Sequence, residues 1–114
     1  MMTQDYITKK IIPQIKKILK KVHPLKVIIF GSFACGVIHE YSDIDLLVVL
    51  NKSGVAKNYS EILRNKINLS KLLREVRRQI PLDLLVYTKD EWDILTKSDS
   101  SFYKSIEKDG LQII

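Results

Sequence analysis

The chain is poor in the residues that would make it a disulfide scaffold, a histidine metal site or a membrane span. It has one cysteine, two histidines and one tryptophan, and no apolar run near the roughly 20 residues that cross a bilayer. The lone thiol, Cys35, excludes an internal disulfide and fits a cytoplasmic chain. The opening MMTQDYITKK lacks the basic-then-apolar pattern of a signal peptide. His23 and His39 stand far apart, so His23 is read as a helix-end residue and His39 as an exposed loop residue. There is no repeat, low-complexity segment or linker. Acidic residues are the scarcer charge, 13 against 19 Lys and Arg, leaving a net charge of +6 that invites phosphate, nucleic acid or an acidic partner. At 114 residues the sequence reads as one domain, 1–114, large enough for a core and too small for a second, substrate-binding domain.

What is present centres on residues 27–50, VIIFGSFACGVIHEYSDIDLLVVL. The apolar run 25–30 predicts a buried strand stopped by Gly31-Ser32, and residues 31–37 a turn leading into a short helix. Residues 43–50 predict a second strand, opened by Asp43-Ile44-Asp45. Alternation along a strand puts Asp43 and Asp45 on one face. Two carboxylates side by side repel, and a divalent cation between them is the simplest way to offset that; Mg²⁺ suits one or two carboxylates plus substrate phosphates.

The rest of the chain reads as helices alternating with strands. Residues 3–21 predict an amphipathic helix through Ile7, Ile11, Ile15, Ile18, Leu19 and Val22, either kinked at Pro13 or starting regularly there. A long helix is expected from about 56 to 79, with Tyr59, Ile62, Leu69, Leu72, Leu73, Val76 and Ile80 facing the core. Lys57, Arg64, Lys71 and Arg78 recur on its other side, and that stripe is read as a solvated face rather than a contact surface. Residues 82–87 predict a third strand. Asp83 interrupts its apolar pattern, and such local violations tend to mark functional sites. Thr88 to Glu91 predicts a capping box. Two helices follow, the second ending at Gly110, and residues 111–114 predict a short last strand. Without exposed aromatics interleaved among the cations, nucleic acid is not expected as a ligand.

The composite Gly31-Ser32, ten residues, then Asp43-Ile44-Asp45 resembles the signature of the nucleotidyltransferase superfamily. The wording GSFACG…SDIDLLV is most similar to the minimal nucleotidyltransferase (MNT) proteins, usually encoded beside a HEPN-domain protein in toxin–antitoxin pairs. The resemblance covers nearly the whole chain. It implies an α/β fold, a small mixed sheet with helices packed mainly on one face. It further implies that Asp43 and Asp45 bind two Mg²⁺ ions (Mn²⁺ a possible substitute), with Asp83 binding the catalytic ion and helping deprotonate the attacking hydroxyl. Gly31 and Ser32 would meet the triphosphate. The implied function is transfer of a nucleoside monophosphate, AMP from ATP, to a tyrosine of a HEPN toxin partner, which makes the chain the antitoxin. One departure stands out: Cys35 occupies a place where the MNT turn often carries arginine, so a charge-assisted phosphate contact is lost. The alternative is an antitoxin that neutralises its partner by binding alone.

Overall fold

In the computed structural model, residues 4–31, 33–34 and 44–114 are described. The chain enters through an α-helical turn, Gln4–Tyr6 (α1), widens into a π-helical turn, Ile7–Ile11, and continues as the α-helix Ile12–Leu19 (α2) with a closing 3₁₀ turn, Lys20–Val22. The regular helix begins next to Pro13, whose missing N–H costs nothing in a first turn. Ile7, Ile11, Ile12, Ile15 and Leu19 are buried. Val22, expected on that face, is exposed because the chain leaves the helix there, through His23 in the left-handed region (φ 51°).

Among the described residues four strands form one mixed sheet in the order β3-β2-β1-β4. They are β1, Lys26–Phe30; β2, Ile44–Leu50; β3, Leu82–Thr88; and β4, Leu111–Gln112. β1 runs antiparallel to both β2 and β4, whereas β2 and β3 are parallel. Parallel neighbours require a crossover, here made by α3, Tyr59–Leu72, and α4, Arg74–Gln79. Two further helices follow β3: α5, Lys89–Lys97, and α6, Ser101–Asp109.

The strand pleat divides the core. Ile29, Leu46, Val48 and Leu84 pack with the N-terminal helix, α3 and α4 into the main cluster. On the opposite face Ile28, Leu47 and Val49 pack with Ile106, beside Phe30, Tyr87, Trp92 and Phe102. The main core therefore lies under one layer of helices, as expected, and α5 and α6 close a smaller cluster on the other face.

The expected 56–79 helix differs in two respects. It starts at Tyr59, because the Asn58 side chain accepts from the Glu61 amide (3.0 Å) while the Glu61 carboxylate accepts from the Lys57 amide (2.7 Å). It is also interrupted at Leu73 (φ −91°, ψ 13°), with no Gly or Pro there. Only its second half packs inward: Leu69, Leu73, Val76 and Ile80 are buried, whereas Tyr59, Ile62 and Leu72 are exposed. The basic stripe is thus broken up, with Lys57 before α3, Arg64 and Lys71 on α3 and Arg78 on α4, where Arg78 pairs with Glu75 at 3.0 Å.

Thr88 forms the expected capping box and extends it. Its hydroxyl accepts from the Glu91 amide (3.1 Å) and donates to the Gly54 carbonyl (2.6 Å), while Glu91 accepts from the Thr88 amide (2.8 Å) and the Ala56 amide (3.2 Å). This buried side chain joins the end of β3, the start of α5 and the loop after β2. Thr88→Val keeps the shape and loses both hydroxyl bonds, so it should cost about 1–3 kcal/mol. Urea unfolding checks this, and an unchanged midpoint would refute the role.

Tyr87 lies half-buried against Trp92, with ring centroids 6.0 Å apart. Burial first, then the Glu91 carboxylate, raises its phenol above the ordinary value. A raised folded-state value gives stability that is present below the unfolded pKa, about 10, and lost as pH rises through the folded one. Tyr87→Phe should therefore flatten the fall of the thermal midpoint above about pH 10, as a pH series of melting curves would read.

Candidate active site

The site forms where the end of β1 meets the beginnings of β2 and β3. Asp45 is the second residue of β2 and Asp83 the second of β3, and the parallel register pairs them directly. Their backbones are thus about 4.8 Å apart, with both side chains on the smaller-core face. Asp45 is half-buried and Asp83 exposed. Like charges directly across a strand pair are destabilising, so this arrangement favours a site where a cation stands between them.

On the other side of β2, Asp45 pairs with Phe30, the last residue of β1. The next residue is Gly31, at φ +77°, a conformation side-chain-bearing residues rarely adopt. A Cβ there would land on the Asp45 carboxylate, on Oδ2 and 3.1 Å from Cγ. The backbone angle thus calls for glycine, and any Cβ there would push the Asp45 carboxylate aside. Phe33 fixes the turn by burying its ring in the main core.

Of the residues the sequence proposes, the fold brings Gly31, Asp45 and Asp83 together. Ser32, Asp43 and Cys35 lie outside the described residues, as do the short helix expected after the turn and His39. Among the described residues no three carboxylate, histidine or cysteine side chains gather around one point; the described part of the site supplies two carboxylates. Two carboxylates on one face of the sheet are hard oxygen donors of the kind Mg²⁺ or Mn²⁺ takes. Sequence reasoning did not single out the aromatic pair on this face of the sheet. Phe30 flanks Asp45 and stacks edge-to-face on Phe102 at 5.8 Å. Period-two alternation through the β1 register was the signal for Phe30; nothing local pointed to Phe102.

Comparison with known proteins places the chain in a family. The nucleotidyltransferase domain family matches residues 12–113, and the chain belongs to it. No curated protein matches the sequence. Among solved structures, the fold is similar to that of a protein from Sulfolobus solfataricus assigned as a nucleotidyltransferase, with a TM-score of 0.58 and 22% identity, over 96% of this chain and 80% of that one. It is also similar to a toxin–antitoxin structure with AMP-PNP, with a TM-score of 0.59 and 19% identity over 90% and 72% of the two chains. A mutant of the toxin–antitoxin pair MntA–HpeT gives a TM-score of 0.57 at 18% identity, again over 90% and 72%.

Proposed function

We propose that this chain is a Mg²⁺-dependent nucleotidyltransferase that moves AMP from ATP to a tyrosine hydroxyl of a HEPN-type toxin, and so acts as its antitoxin in the cytoplasm. The observation that carries the reading is the in-register pair Asp45–Asp83 beneath a left-handed glycine whose Cβ, if present, would meet the Asp45 carboxylate. Membership of the nucleotidyltransferase family and the likeness to a toxin–antitoxin structure with AMP-PNP support it.

In this reading Asp43 and Asp45 hold the ions, and Asp83 completes the cluster. Mg²⁺ supplies neutralisation of triphosphate charge and stabilises both the attacking and the leaving oxygen. Gly31 lets the triphosphate approach the backbone closely. The acceptor oxygen forms a bond to the α-phosphorus as the α–β bridging bond breaks. Pyrophosphate carries away the electron pair, and the hydroxyl proton passes to the Asp83 carboxylate. Asp83 is exposed, so an acceptor on another protein can reach it.

Calorimetric titration with ATP tests the metal dependence. Binding should tighten on going from EDTA to Mg²⁺, because phosphate oxygens and carboxylates share the ion. Equal affinity in both conditions would contradict the metal reading. Cys35→Arg, which restores the family's wording of the turn, should tighten triphosphate binding in the same assay.

A further inference from the structure

At the end of the sheet remote from Asp45 and Asp83 lies a cavity of about 230 Å³, between the loop after β2 and the first turns of α3. Asp83 and Thr88, which lines this cavity, are five residue steps apart along β3. At about 3.3 Å per residue the two sites are roughly 17 Å apart. Lys52, Lys57 and Arg64 converge on the cavity, with Asn65 and the Gly54 backbone. Among the described residues none of these three cations is in an ion pair. Lys52 donates only to the Asn65 side-chain oxygen, at 3.2 Å, which leaves donors of its ammonium over.

One carboxylate, Glu61, also lines the cavity, and the Lys57 amide donates to it. Three cations against one anion leave an excess of two positive charges. The neighbouring carboxylates do not line the space: Asp90 accepts from the Gly54 amide and Glu91 from the Ala56 and Thr88 amides, which fixes the loop that forms the wall. The wall is therefore built, while its cationic side chains remain available. No aromatic ring is among the described residues that line it, so a nucleobase would find nothing to stack on.

We propose that this cavity is a second anion site, for a compact phosphate-bearing ligand of the diphosphate or triphosphate class, recognised by its charge and not by a base. The lysines act as point charges, and the Arg64 guanidinium supplies the planar donor fork that suits phosphate oxygens. The site stands apart from the proposed transfer reaction and does not depend on it.

Pyrophosphate in EDTA is the probe, since the carboxylate corner has no ion with which to hold it. Backbone amide NMR of the full chain should show shifts at Ser53, Gly54 and Lys57, and the affinity should fall with added salt. Lys52→Ala/Arg64→Ala should weaken pyrophosphate binding at least about tenfold. It should leave the fold and Mg²⁺-dependent ATP binding unchanged. Adenosine should produce no shifts there, and triphosphate should bind at least as well as pyrophosphate. Shifts confined to Gly31 and its neighbours, or unchanged affinity in the folded double variant, would overturn the proposal.

Discussion

Asp83→Asn should lower nucleotide transfer at least about a hundredfold while leaving the fold and the partner-binding surface intact. The substitution is nearly isosteric, and the residue is exposed on β3. In the proposed mechanism it removes the group that receives the acceptor's proton and one ligand of the metal cluster. It also removes one of two like charges placed directly opposite each other. In metal-free buffer the variant should therefore melt no lower than the parent. A rate loss without a stability loss separates a chemical role from a structural one. A folded variant that transfers at the parent rate would remove Asp83 from the mechanism. One that melts well below the parent would make it structural.

Gly31→Ala should abolish Mg²⁺-dependent ATP binding, and transfer with it. A single methyl meets the Asp45 carboxylate, so either the carboxylate or the turn must move. Displacements of about 1 Å can cost about a hundredfold in such a site. The left-handed backbone adds strain of about 1–3 kcal/mol. Gly54→Ala separates the two effects. Gly54 has φ +93°, but nothing lies within 4 Å of its would-be Cβ. That variant should show a comparable loss of stability in urea and keep its ATP binding. If both variants bind ATP normally, close approach at Gly31 has no part in the site.

Much of the site could be read from residue order because its logic is local. Gly31 ends an apolar run, Asp45 sits at the polar entry of another, and Asp83 violates the pattern of a third. What order could not supply was register. That Asp83 stands opposite Asp45, and not a residue to either side, follows from the parallel pairing of β2 with β3, which α3 and α4 set at long range. The start of α3 was legible but misread: Asn58 followed three residues later by Glu61 is a cap signal lying inside the expected helix. The interruption at Leu73 has no local signal.

Gly110 ends α6, as expected, without the left-handed backbone that glycine often supplies at a helix end. Its φ is −70°, not left-handed. A Cβ there would meet the Ile106 carbonyl and come within 2.8 Å of an Ile28 methyl. The harder of the two contacts is local, with backbone one turn back in α6; the Ile28 contact, where α6 lies close on β1, is tertiary, and only that one leaves no trace in periodicity.

The central claim is that these carboxylates transfer a nucleotide to a partner protein. Its most direct test is incubation of the chain and a HEPN-domain protein encoded beside it with α-labelled ATP, with and without Mg²⁺, followed by mass spectrometry of the partner. The account predicts label on a partner tyrosine, dependent on Mg²⁺ and lost with Asp83→Asn. Full neutralisation of the partner by the wild-type chain, with no nucleotide on any partner residue, would contradict it and establish neutralisation by binding alone.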